Sequence, residues 1–175
     1  MEASQRAEEV FLQESIQAFE SMKKLADKTM AQLEDGHFQY QLDAESNSLE
    51  TMITHMHGNM LSRWTDFLTT DGEKESRDRD GEFEPKGLSR AELLELWEAG
   101  WGVLFTTLRS LQPDDVLKTV HIRQQPHTVI QAIQRQVSHY GYHVGQIVFL
   151  GKHLAGNHWN TLSIARGQSK SFRPH

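Results

Sequence analysis

The spacing of hydrophobic residues in the first third of the chain predicts two amphipathic helices. In the first, apolar or small residues recur every three or four positions, at Phe11, Ser15, Ala18, Met22, Leu25, Thr29 and Leu33. We expect this helix to end at the breaker Asp35-Gly36. The second opens at Asn47-Ser-Leu-Glu50, a capping residue followed by Glu three positions later, and its stripe is Leu49, Ile53, Met56, Met60, Trp64 and Phe67.

Two further helices are predicted in the second half of the chain. Ser89-Arg-Ala-Glu92 has the form of a capping box, and its stripe is Leu93, Trp97, Leu104, Leu108 and Leu111, closed by Pro113-Asp-Asp. Thr128-Val-Ile-Gln131 is another such box, followed by Ile130, Ile133, Val137, Tyr140, Val144, Ile147 and Leu154. The side chains of Trp64, Trp97, Trp101, Met52, Met56 and Met60 are expected in the core. Four helices of this length predict an all-α bundle.

Two connecting segments differ from plain turns. Thr69 to Leu88 contains seven acidic and three basic residues between Asp71 and Glu84, and is either an ordered functional loop or a mobile one. Val116 to Arg123 is compatible with a short strand. With 175 residues, we expect one domain, 1–175, with a C-terminal tail from about residue 156.

Charge and composition exclude several functions. The 24 acidic and 18 basic residues give a net charge of -6, which disfavours nucleic acid or an anionic membrane surface as the main partner. Because there is no cysteine, a thiolate nucleophile, Cys-ligated zinc and iron-sulfur clusters are excluded. The segment beginning at Met1 is charged where a signal peptide would be apolar, so we expect a cytoplasmic protein.

Ten histidines make imidazole the candidate chemical group. His139 and His143 are four residues apart, so on a helix they share one face and can bind one metal ion. A third ligand has to come from another helix, and His55 and His57 both qualify, on opposite flanks of the second helix. Helical spacing leaves this choice open, and it also leaves open that the histidines are ordinary surface or core residues.

Several sharper motifs are absent. Tyr140 stands where the zincin pattern has its Glu, so that built-in general base is missing. The spacing Glu34 to His37 spans Gly36, which disqualifies it as a di-iron Glu-x-x-His helix motif. The sequence also has no G-x-S-x-G elbow and no G-x-G-x-x-G loop. Asn59 and Gln146 are placed to hydrogen-bond a ligand ring or a bound water.

Three blocks resemble the DinB/YfiT-like superfamily, and within it a bacterial family of uncharacterised proteins. They are His55-Met-His-Gly-Asn-Met-Leu-Ser-Arg-Trp-Thr-Asp-Phe-Leu-Thr-Thr-Asp-Gly-Glu-Lys74, His139-Tyr-Gly-Tyr-His-Val-Gly-Gln-Ile147 and Trp159-Asn-Thr-Leu-Ser-Ile-Ala-Arg-Gly-Gln-Ser169. The chain departs from that family's pattern at His57, where a small residue is usual, and at Ala165, where Pro is expected.

The resemblance implies a four-helix bundle of the up-down-down-up type with a long loop between helices 2 and 3, commonly a homodimer. It implies a divalent metal, zinc or nickel, with iron or manganese as further candidates, on His55, His139 and His143. We also expect a homodimer because Trp97, Trp101 and Phe105 exceed what one inner stripe absorbs.

For function, the resemblance implies a metal-dependent enzyme that acts on a small-molecule substrate. The candidate reactions are thiol-dependent transfer with a low-molecular-weight thiol, and hydrolysis with an activated water. The alternatives are a non-catalytic dimeric protein that binds a metal or small ligand, and a vestigial site. The reaction class comes from the resemblance, because a fold by itself does not determine chemistry.

Overall fold

A computed structural model describes residues 6–171 and contains four long helices and one small hairpin. The helices are α1 (Ala7–Met30), α2 (Leu49–Trp64), α3 (Arg90–Ser110) and α4 (Val129–Ala155). The strands are β1 (Thr119–Ile122) and β2 (Gln125–Thr128). Short 3-10 turns lie at Asp35–His37, Gly81–Phe83, Pro113–Asp115 and Gly156–His158. The expected domain span of 1–175 and the charged start at Met1 extend beyond the described residues.

Helices α2, α3 and α4 begin at or within one residue of the predicted capping signals, and α1 and α2 end earlier than expected. The Ser89 and Thr128 capping boxes form as predicted, whereas the N-cap of α2 is Ser48 and not Asn47. In α2 the helix ends at Trp64 and does not reach Phe67, because the backbone becomes extended at Thr65 and left-handed at Asp66. Phe67 is nevertheless buried.

The four helices share one core, in which α2 is the most buried element. Helix α1 packs against α3 and α4, and α2 packs against the same two helices from the other side. The predicted Trp and Met core residues are all buried, as are the predicted stripe residues of α2 and α3. In α1 the inner face is rotated by about one residue from the prediction, since Phe19 is fully buried and Leu25 is exposed. Within 6–171, no helix combines the length and apolar character needed to cross a membrane.

The two tryptophans of α3 are buried in the chain's own core, whereas Phe105 is half-buried. Trp97 and Trp101 are 2% and 0% exposed, and Phe105 stacks on Trp101 with ring centroids 5.6 Å apart. The expectation that these side chains exceed the inner stripe is therefore wrong for Trp97 and Trp101. The homodimer has to be supported by other observations.

The hairpin corrects the purely all-α prediction. Strand β1 lies within the segment 116–123 that was compatible with a strand, and it pairs antiparallel with β2, placing His121 opposite Pro126. The two turn residues, Arg123 and Gln124, both have positive φ, which non-glycine residues rarely adopt. The carboxylate of Asp71 accepts both of their backbone N–H groups, at 2.9 and 2.7 Å, and stabilises the turn from outside the hairpin.

The acidic segment between α2 and α3 is ordered and packs over one side of α2. Buried Glu50 accepts backbone N–H groups from Lys86 and Leu88, and Thr54 donates to the carbonyl of Glu82 at 2.8 Å. Of the two interpretations of Thr69 to Leu88, the structure supports the ordered loop. These contacts carry charged loop side chains to the middle of α2.

Candidate metal centre

Three histidines from two helices meet at the contact between α2 and α4. The Nε2 atom of His139 lies 3.2 Å from Nε2 of His55 and 3.1 Å from Nε2 of His143. His55 and His143 are 4% and 6% exposed, and His139 is half-buried. The i, i+4 spacing places the α4 pair on one face, and the packing of α2 against α4 adds His55. The three side chains form a group whose ligand atoms all lie within 4.8 Å of one another, so they could hold a metal ion.

The other ring nitrogen of each histidine faces an oxygen atom. Nδ1 of His55 donates to Glu82 Oε2 at 2.9 Å. Nδ1 of His139 lies 3.3 Å from Gln136 Oε1, and Nδ1 of His143 lies 3.1 Å from Gln146 Oε1. An oxygen acceptor at Nδ1 keeps the proton there and leaves the lone pair on Nε2. With the proton on Nδ1 of each ring, all three Nε2 lone pairs point into the same space, where a cation would neutralise their mutual repulsion.

The spacing of the Nε2 atoms fits a metal's coordination shell. Two nitrogens bound to zinc at about 2.0 to 2.1 Å are separated by about 3.3 to 3.4 Å at tetrahedral angles and by about 2.9 Å at right angles. The separations of 3.2 and 3.1 Å lie between these values. A set of three neutral imidazoles also matches the ligand preference of zinc, nickel and iron.

The ordered loop supplies the acceptor for His55. Glu82 is buried and accepts two hydrogen bonds from Arg77, at 2.7 Å to each carboxylate oxygen. Burial opposes ionisation, but the hydrogen bonds from Arg77 and His55 outweigh it and lower the pKa of Glu82. Because Glu82 is thus ionised, it acts as an acceptor and requires Nδ1 of His55 to carry the proton.

Gly58 makes room for this carboxylate. A Cβ atom at Gly58, one turn along α2 from His55, would collide with Oε1 of Glu82. A larger residue would push the carboxylate away from the position where it contacts both Arg77 and His55. Glycine is therefore required at position 58 by the close approach of the loop residue Glu82 and not by the geometry of the helix.

The environment of the α4 histidines favours neutral imidazole. Burial, together with the neighbouring charges of His143 and His55, lowers the pKa of His139 to about 3. Burial and His55 lower the pKa of His143 to about 4, against the opposing hydrogen bond with Gln146. Both rings stay unprotonated far below the ordinary histidine pKa of about 6.5, which is the form that binds metals.

A cavity of about 500 Å³ opens beside the three histidines. His55, His139 and His143 form one part of its wall, and Phe83, whose ring lies 4.6 Å from that of His55, forms another. Within the described residues, the group of candidate ligands stops at these three histidines. A metal held there would keep positions open towards the cavity.

His57 lies on the other side of α2, away from this group. It is half-buried, and its ring approaches Gly100 of α3. It lines a separate cavity of about 590 Å³ together with Leu61, Leu88 and Leu96. Among the described residues, the group that could hold a metal ion consists of His55, His139 and His143, without His57.

Two polar residues singled out by the sequence have different positions. Gln146 is a partner of a candidate ligand ring, as expected. The side chain of Asn59 instead accepts a hydrogen bond from the hydroxyl of Tyr140 at 2.9 Å, and that hydroxyl also accepts one from Trp64 Nε1 at 3.0 Å. Tyr140, in the position of the zincin Glu, is therefore a buried anchor of α4.

Sequence reasoning missed Gln136, Glu82 and Arg77. Gln136 precedes His139 by three residues, as Gln146 follows His143 by three, so helical spacing could have found it. Glu82 and Arg77 had no such signal, because they lie in an irregular loop more than twenty residues beyond His55. Their partners depend on how that loop folds back.

Comparison with known proteins places the chain in a family without assigning it a function. Residues 6–168 match the model of a family described as "Protein of unknown function (DUF1572)", and the chain belongs to that family. A search of the curated proteins found no match, and neither did a search of the solved structures.

Proposed function

We propose that this member of the DUF1572 family is a divalent-metal-dependent enzyme, of the thiol-dependent transferase or the hydrolase type. Its metal ligands are Nε2 of His55, His139 and His143, with zinc or nickel as the first candidates and iron or manganese after them. The observation that carries the proposal is the convergence of three Nε2 atoms whose rings are each oriented by an oxygen at Nδ1.

The form of the site favours catalysis over a purely structural metal. Structural zinc sites are usually closed by four protein ligands, whereas catalytic sites use three and leave a position for water or substrate. Among residues 6–171, the candidate ligands at this site are three histidines, and they lie at the wall of a cavity lined largely by polar side chains. These features support a small-molecule substrate and count against the non-catalytic alternative.

The chain's own residues position the ligands and shape the cavity. A divalent metal bound there supplies Lewis acidity to a water or a thiol. Glu82, Gln136 and Gln146 hold the three rings in one tautomer, and Arg77 keeps Glu82 ionised. Phe83 packs on the ring of His55 and limits access of solvent to it. Since the chain has no cysteine, a thiol reactant would be a separate small molecule.

A DinB-like bundle and a homodimer belong to the same proposal. The arrangement in which α1 and α2 each pack against α3 and α4 supports the bundle. Support for the dimer comes from Tyr142 and Phe149, two turns apart on α4 and 63% and 72% exposed. Light scattering at micromolar concentration should give twice 20.1 kDa. A single-chain mass would refute the dimer.

Elemental analysis of protein purified without an affinity tag tests metal binding. We expect about one divalent metal ion per chain, removable by a chelator and restored by stoichiometric zinc or nickel. A chain that is folded, by circular dichroism, and takes up no divalent metal would refute the proposal and leave a vestigial site.

A panel of thiol-transfer and of ester or amide hydrolysis assays tests the reaction class. Each substrate is run with and without a low-molecular-weight thiol, using His143→Ala as the control variant. Turnover that requires the thiol and is lost in the variant supports transfer, and thiol-independent turnover lost in the variant supports hydrolysis. Equal rates for wild type, variant and chelated protein would favour the non-catalytic alternative.

A further inference from the structure

The cavity beside the three histidines has a strongly basic wall. Five arginines contribute to it, namely Arg63, Arg77, Arg79, Arg123 and Arg135, against one carboxylate, that of Glu73. Glu73 is already shared, since it lies 3.1 Å from Arg77, 3.4 Å from Arg123 and 3.6 Å from Arg63. Two further carboxylates lie nearby: Glu82 pairs with Arg77 and His55, and Asp71 accepts backbone N–H groups of the hairpin turn. A positive excess therefore remains in a chain whose net charge is -6.

Arg63 is buried, and Glu73 compensates only part of its guanidinium group. Its side chain is 4% exposed, yet Nε and Nη1 are buried and have no hydrogen-bond partner among the described residues. Buried N–H groups without a hydrogen-bond partner are costly, and the planar donor fork of a guanidinium is suited to bind oxyanions. Burial, followed by the charges of Arg135 and Arg77, lowers the pKa of Arg63, against the opposing charge of Glu73. An anion at this position would offset both costs.

Arg135 reaches the cavity from α4. It is exposed, and within residues 6–171 its side chain has no carboxylate within ion-pairing distance. It precedes His139 by four residues, so both side chains project from one face of α4 about 6 Å apart along the axis. Arg63 follows His55 by eight residues, about 12 Å along α2.

We propose that the substrate of this site carries an anionic oxygen group, a carboxylate or a phosphate, held by Arg63 and Arg135 while its reactive group reaches the three histidines. The placement of the reactive group at the three histidines rests on the proposed function, because that function assigns the metal to them. The binding of the anion rests on the arginines alone. The arginines lie one to two helical turns from the histidines. The ligand is therefore a small molecule in which several bonds separate the anionic group from the reactive group.

Titration calorimetry on the full-length, zinc-loaded protein freed of excess metal tests the anion site. The probes are succinate and inorganic phosphate, which separate the two anion types, with succinamide as an uncharged control of similar size. We expect at least one anion to bind with a Kd of about 1 to 10 mM, and succinamide not to bind. Absence of binding of both anions at about 10 mM would overturn the proposal.

Arginine variants show whether the binding belongs to the proposed residues. Arg135→Gln, at an exposed position, should weaken anion binding by about tenfold or more and leave the zinc content unchanged. Arg63→Lys keeps the charge but loses the planar donor fork, and should also weaken binding. Arg109→Gln is the matched control, since Arg109 is an exposed arginine that pairs with Glu20 on α1. Equal affinity in wild type, Arg135→Gln and Arg63→Lys would overturn the proposal.

The metal-free protein separates this inference from the proposed function. If the chain binds no metal but still binds an anion in a manner that depends on Arg135, the anion site stands and the metalloenzyme does not. If anion binding requires zinc and is unaffected by both arginine variants, the anion is a ligand of the metal only. That result would overturn the anion site and leave the metal centre intact.

Discussion

The two faces of α2 carry histidines two positions apart that have different surroundings. On one face, His55 is buried, donates to an ionised carboxylate and meets two further histidines. On the other face, His57 is half-buried beside α3 and lines a cavity with several leucines. Both residues have the same intrinsic chemistry and nearly the same place in the sequence. The difference shows that a candidate metal ligand is distinguished by the acceptor at its Nδ1 atom and by the neighbours of its Nε2 atom.

The largest expected difference between the faces is in metal content. His139→Ala and His55→Ala should each abolish stoichiometric metal binding, because two remaining imidazoles hold a divalent ion too weakly to survive dialysis. His57→Ala should leave one metal per chain. Elemental analysis after dialysis against metal-free buffer measures this. Loss of metal in His57→Ala with retention in His55→Ala would reverse the assignment of the two faces.

A smaller effect is expected from the loop carboxylate that distinguishes the His55 face. Glu82→Gln removes the charge that orients His55, and Gly58→Ala removes the space that the carboxylate occupies. Each should weaken metal affinity by about 10- to 100-fold, as is usual for partners of ligand histidines. Competition with a chromophoric chelator measures the affinity.

Gly102→Ala on α3 is the matched control for Gly58→Ala, because a Cβ there meets no atom within 4 Å. It should leave metal affinity unchanged. If Gly58→Ala and Gly102→Ala behave alike, the contact of Glu82 with His55 has no role in metal binding.

Acidification should release the metal before it unfolds the chain. The pKa values of about 3 for His139 and about 4 for His143 lie below the unfolded value of about 6.5. Below pH 6.5 the unfolded chain takes up protons that the folded site does not. The contribution of these two histidines to the free energy of unfolding is therefore complete above pH 6.5 and is lost as the pH falls towards 3 to 4. Bound metal competes with these protons, so half-release is expected below about pH 6. Metal content and circular dichroism along a pH series measure both, and half-release above pH 6.5 would contradict the prediction.

The smallest effect is expected on the His57 face. Burial lowers the pKa of His57, so protonation there also favours the unfolded chain below pH 6.5. His57→Leu removes that group, and should change stability by no more than about 1 kcal/mol at pH 7 and raise it relative to wild type at pH 5. Denaturant unfolding at the two pH values measures this. A loss of metal, or a larger loss of stability, would mean that the two faces are less distinct than their contacts indicate.

The features that the sequence predicted well are those set by residues close together in the chain. Capping at Ser89 and Thr128 depends on a hydroxyl and a carboxylate or amide three positions later, and both boxes form. The hairpin turn at Arg123 and Gln124 was not foreseen, because neither residue is a usual turn former. Its positive φ values depend on Asp71, more than fifty positions earlier.

The His139 and His143 pair was determined by the sequence itself, because a helix of 3.6 residues per turn places positions four apart on one face. The choice between His55 and His57 required either the resemblance or the packing of α2 against α4, since helical spacing allows both. Tertiary structure alone brought Glu82 and Arg77 to the ring of His55, and Arg63 and Arg135 to one cavity. Contacts of this kind join elements whose separation in the chain carries no periodic signal. Glu82 and Arg77 reach His55 because the loop packs over α2, and Arg63 and Arg135 meet because α2 packs against α4.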